Sequence, residues 1–187
     1  MTALNLEKRL LDSLRTLPWP TYMCAITAMA GLVLDLYRDY LGPESTGLCV
    51  KSLRLAEESI TTSHPAPEAH QLAAEWDKYF NGPATESSDP GLDGTFCLFD
   101  ALVTELHNDQ ARYLCTQWLT GAVLYFPPKL DIEPGQLVKI DLSPDSPADS
   151  LQAKTLERFL RIAELAEGHV SSKTSCDPKA LREDSRQ

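Results

Sequence analysis

The chain lacks almost every motif that announces chemistry. It has no GxSxG, no phosphate-cradling GxxxxGK[ST] and no GxGxxG, so a nucleophile elbow, a P-loop and a dinucleotide site have no starting point. HExxH is missing, and so is the Glu-x-x-His pair of di-iron bundles. Glu105 and His107 stand two positions apart, which splays them about 200° around a helix. Glu57-Glu58 is followed by Ser59, Ile60 and Thr61, so the Glu-Glu-x-x-Glu helix of nucleotide pyrophosphohydrolases loses its third ligand. Internal repeats, low-complexity tracts and long heptad runs are absent as well.

Cysteine is present without a pattern. Cys24, Cys49, Cys97, Cys115 and Cys176 are odd in number, widely spaced and free of any CxxC. That spacing argues against a disulfide framework and against a thiolate metal site. A reduced, cytoplasmic chain is expected, with four cysteines as small core residues and Cys176 in a loose tail. The opening MTALNLEKRLLDSLR is charged throughout, so no signal peptide is expected. The longest weakly polar run, residues 22–34, is too short to span a bilayer and reads as a buried helix.

Positive charge is scarce in one place. Residues 57–109 hold eleven acids and a single base, Lys78, and so carry −10; the remainder has sixteen of each sign and is neutral. The whole formal charge of the 187-residue chain therefore sits in one central segment. Such a field attracts cations and basic proteins and repels nucleic acid and anionic membrane.

What is abundant is apolar residues at helical spacing. The spacing predicts an all-α fold, a bundle of six or seven helices with a proline-rich extended excursion before the last one. One domain is expected over 1–168, with a polar, disordered tail over 169–187. The first helix covers 3–16 on a stripe of Leu6, Leu10, Leu14 and Leu17. The second, over 21–41, has no polar face from residue 22 to residue 34, so it belongs at the centre. A third is expected over 45–61, capped by Ser45 or Thr46, and a fourth from 65 to 80. Residues 81–94 read as a long acidic loop. A fifth helix follows over 95–107, and Asn108 either extends it or caps a sixth that ends at Pro127. QLVKIDL, with Val138, Ile140 and Leu142 in alternation, is strand-like and reads as an extended arm packed on the bundle or as a hairpin with residues 129–132. A last helix runs from 149 or 150 to Gly168.

The functional expectation follows from charge and from missing motifs. The chain reads as a non-catalytic protein-binding module, an immunity or antitoxin-like inhibitor that presents an acidic face to a basic toxin or nuclease-like partner. In charge and architecture it is similar to small bacterial immunity proteins, whose carboxylates imitate phosphates; no motif carries the likeness. The expected contact residues are Glu58, Glu75, Asp77, Glu86, Asp89 and Asp93, with Trp19 and Leu92 as apolar anchors. No cofactor, nucleic acid or membrane is expected as a partner. The alternative is a helical metal-dependent hydrolase or a small-molecule binder. For it, Asp100, Thr104 and His107 share a helix face at i, i+4 and i+7, within possible reach of Glu57, Glu58 or His70. A third reading is a subunit of a larger assembly that buries Trp19, Leu130 and Ile132.

Overall fold

The computed structural model describes residues 3–62, 68–82, 89–105, 108–127 and 151–186. Among them are eight α-helices and no strand: α1 Ala3–Thr16, α2 Trp19–Tyr37, α3 Pro43–Thr62, α4 Ala69–Phe80, α5 Pro90–Thr104, α6 Arg112–Leu124, α7 Leu151–Ser172 and α8 Pro178–Asp184. A 3-10 turn, Asp109–Ala111, leads into α6. The all-α bundle is as the periodicity predicts. The expected arm over 136–142 and its alternative hairpin partner over 129–132, with Leu130 and Ile132, lie outside the described residues.

α2 is the axis of the bundle. Every residue from Tyr22 to Leu34 is buried, and α3, α5, α6, α7 and α8 all pack against it. It is the one described helix long and apolar enough to cross a membrane, and 72% of that stretch is buried inside the protein. A helix apolar on all sides must be enclosed, and here protein encloses it. Pro20 sits in the first turn, where its missing N–H costs nothing. The helix ends at Tyr37 rather than at 41, and the chain tightens there into a turn in which the Tyr40 amide donates to the Tyr37 carbonyl three residues back.

α1 lays its leucine stripe on α7, and Leu6, Leu10, Leu14 and Leu17 are all buried. Its C-terminal carbonyls are held by Arg112 of α6. The guanidinium Nη1 donates to Leu17 O at 2.7 Å and Leu14 O at 3.2 Å. Nη2 pairs with Asp109 at 3.0 Å. The same guanidinium lies 4.6 Å from the Tyr22 ring centroid and 5.7 Å from that of Trp19. A cation at a helix C-terminus meets the negative end of the dipole.

The starts of α3 and α5 differ from the sequence expectation. α3 starts at Pro43, and Ser45 sits in its first turn with its hydroxyl on Gly42 O at 3.1 Å, so neither Ser45 nor Thr46 is the cap. α5 starts at Pro90 rather than 95. The Asp89 carboxylate caps it, accepting from Gly91 N at 2.8 Å and Leu92 N at 3.0 Å. Gly91 is there because a Cβ would collide with the Tyr37 hydroxyl, which donates to Ala122 O at 2.6 Å and ties α2 to α6.

The C-terminus is the largest correction. The tail expected to be disordered from residue 169 is structured to residue 186. α7 runs through Gly168 to Ser172 and stops at Lys173, which takes the left-handed conformation at φ 56. After a short link, Asp177 caps α8 by accepting from Lys179 N at 3.0 Å, and Leu181 is buried against the core. α8 packs on α2 and α7. Cys176, expected to be loose, is half-buried on the core.

Candidate partner-binding face

The described residues of the acidic segment lie at the end of α3, on α4 and α5 and in the 3-10 turn, and the helix geometry sorts their carboxylates. Glu75 and Asp77 are two apart on α4 and so point to nearly opposite sides. Glu75 turns to α3, where Lys51 Nζ donates to it at 2.7 Å. This pair lines a groove of about 410 Å³ between α3 and α4, beside Glu44 and Lys78. Asp77 is exposed, and its charge acts on Asp100 of α5.

Asp93 and Asp100 are seven apart, one above the other on the outer side of α5. Burial pushes the Asp100 carboxyl up to about 6, and the charges of Asp77 and Glu105 push the same way. Burial, followed by the charge of Asp89, pushes Asp93 up to about 6. Cys97 lies between them, its thiol raised by burial and then by the two aspartates. Among the described residues no ion pair reaches Asp77, Asp93 or Asp100. Asp100 is half-buried and Asp77 and Asp93 are exposed, so like charges stand together on an outer ridge without an ion pair among the described residues.

The other expected contact residues are placed differently. Glu58 is exposed on α3 and lies 3.8 Å from Arg54. Asp89 is 3% exposed and belongs to the α5 cap, so it is not a free surface carboxylate. Leu92 is 6% exposed and part of the core, so it is not an exposed anchor. Trp19 is half-buried, its ring stacked on Tyr22 at 5.3 Å, and it covers the end of the bundle. Glu86 lies outside the described residues.

The alternative constellation does not converge in what is described. The Thr104 hydroxyl donates to the backbone carbonyl of Asp100 at 3.1 Å. Glu57 faces Lys179 and Arg182 of α8 rather than α5, and His70 is exposed on α4. His107 lies outside the described residues. No group of three His, Cys, Asp or Glu side chains that could hold a metal occurs among the described residues.

A second concavity, about 400 Å³, runs between α1 and α6. Its walls are Leu11, Leu14, Thr116 and Thr120 with Tyr113 at the rim. Its charged groups do not act together: Glu7 is raised by burial, and Arg112 is engaged in holding the end of α1.

Sequence reasoning missed Glu105 and saw Asp100 only as a metal candidate. The i, i+7 spacing of Asp93 and Asp100 was the signal that could have put both on one ridge; the meeting of Asp77 with Asp100 is a tertiary fact with no local signal. No family model, curated protein or solved structure matches the chain.

Proposed function

We propose that the chain is a non-catalytic protein-binding module that offers the ridge of Asp77, Asp93 and Asp100 to a basic protein. The observation behind this reading is that the packing of α4 on α5 brings Asp77 near enough for its charge to act on the half-buried Asp100. Folding gains nothing from that arrangement, since burial and repulsion both oppose the ionisation of Asp100. A lysine or arginine arriving from a partner reverses the repulsion and supplies the missing hydrogen bonds.

Spaced carboxylates on a rigid helix present charge much as phosphates do on a nucleic-acid backbone. The partner class is therefore a protein that expects phosphate, a toxin or nuclease-like enzyme, and the role is that of an immunity or antitoxin-like inhibitor. The five free cysteines suit a reduced, cytoplasmic setting. Attraction across such a face acts chiefly on association rate and fades with salt, because screening shortens to about 8 Å at physiological ionic strength.

The test is affinity capture from the native host with wild-type protein and with the Asp93→Asn/Asp100→Asn double variant, after melting curves show that both are folded. A basic protein that wild type retains, that elutes as salt rises and that the variant does not retain supports the reading. Equal retention by both proteins contradicts it.

A further inference from the structure

The short segment between α7 and α8 brings a partly exposed thiol to a buried one. Cys24 lies in the second turn of α2 and is fully buried; Cys176 precedes the Asp177 cap of α8 and is half-buried on the same core. The two side chains meet within hydrogen-bonding reach. α8 rests on α2 around them, with Leu181 buried and Arg182 crossing at Gly31. The remaining thiols are set apart: Cys49 and Cys115 are buried, and Cys97 stands among the aspartates of α5.

We propose that Cys24 and Cys176 form a redox modification site, in which a hydroperoxide oxidises the pair to a disulfide that staples α8 to the central helix. The half-exposed Cys176 meets the oxidant and the buried Cys24 resolves it. With hydrogen peroxide, the Cys176 thiolate attacks one oxygen, the S–O bond forms and the O–O bond breaks. The departing hydroxide takes up the proton released by the thiol and leaves as water. The Cys24 sulfur then attacks the sulfenic sulfur, the S–S bond forms and the S–O bond breaks. The second oxygen leaves as water with the Cys24 proton. Two thiols are oxidised by two electrons, and one peroxide is reduced to two waters. Accepting the Cys24 S–H draws the Cys176 thiol below its ordinary range, against the opposing effects of burial and of Asp177, which favours attack from Cys176. In the reduced protein α8 is held by packing and ion pairs alone; in the oxidised protein it cannot leave α2.

The experiment treats the folded, full-length protein with a small molar excess of hydrogen peroxide, blocks residual thiols with iodoacetamide and maps peptides by mass spectrometry. The expected product is monomeric, two hydrogens lighter, with the Cys24 peptide joined to the Cys176 peptide. Its melting midpoint rises by roughly 5–10 °C and returns with dithiothreitol, because the closed loop is long. Cys176→Ser, a substitution at a half-exposed position, abolishes the cross-link and the rise. Cys97→Ser keeps both. Over-oxidation of Cys176 without the cross-link, a cross-link between chains, or a cross-link through Cys97 overturns the proposal.

Discussion

Arg182 of α8 crosses the central helix at Gly31, in the space a side chain there would fill. Beyond the crossing its Nη2 reaches Glu57 Oε1 at 3.7 Å, and Lys179 meets the other oxygen of the same carboxylate at 3.2 Å. Glu57 is 8% exposed, so its charge needs these cations. A gap in α2 thus lets a C-terminal helix serve an acid on α3. Gly31→Ala is expected to push the guanidinium aside and cost about 1 kcal/mol in urea unfolding. In an Arg182→Ala background the same change is expected to be neutral, because the obstacle is gone. Additive losses in the double variant would show that the crossing does not couple the two residues.

Arg112 holds α1 by a fork that lysine cannot reproduce. Its side chain donates to Leu14 and Leu17 carbonyls and to Asp109 while lying over Tyr22. Arg112→Lys keeps one point charge and loses the planar fork and its stacking. A loss of about 1–2 kcal/mol is expected, with the last amides of α1 exchanging hydrogen faster than those of α2. Unchanged exchange in α1 would place its anchor elsewhere, on the α7 contact alone.

Thr27 is fully buried in α2, and its hydroxyl has no hydrogen-bond partner. An unmet buried hydroxyl is costly, whereas a methyl of the same shape is not. Thr27→Val is expected to raise stability by about 1 kcal/mol, read as a higher urea midpoint at unchanged m-value. A destabilised variant would reveal a partner for that oxygen.

The ridge makes a prediction about pH. Asp100 and Asp93 have carboxyl groups raised to about 6 in the folded protein, above the ordinary aspartate range. The folded state therefore binds more protons than the unfolded state between about pH 4 and 6, and stability falls as pH rises through that window. Asp100→Asn removes its share of the effect and leaves that of Asp93. It is expected to stabilise the protein at pH 7 by up to about 1 kcal/mol, a figure that allows for solvent screening of a half-exposed group, and to make little difference at pH 4. Equal gains at both pH values would mean that the amide helps by packing and not by removing charge.

α1 and α2 are legible because each carries one clear pattern, a leucine stripe in the first and thirteen consecutive buried residues in the second. α5 and α8 are less so, for a shared reason. Both open on Asp-Pro, at 89–90 and 177–178, and a proline beside polar residues reads as a break. The same dipeptide is an N-cap followed by a first-turn proline, which starts a helix. Gly168 reads as a stop, yet α7 continues because the left-handed residue that ends it is Lys173. The acidic segment is legible as charge, but which acids meet is not. Asp77 reaches Asp100 only through the packing of α4 on α5, and Cys24 reaches Cys176 only once α8 has docked.

The ridge itself is tested most directly by association kinetics. The captured partner is purified and its association rate with wild type and with Asp93→Asn/Asp100→Asn is measured by stopped flow from low to physiological salt. The account predicts a rate that falls steeply with salt for wild type, and for the variant a rate about tenfold lower at low salt with a flatter dependence. The same rate and the same salt dependence in both proteins would mean that the acidic ridge plays no part in recognition.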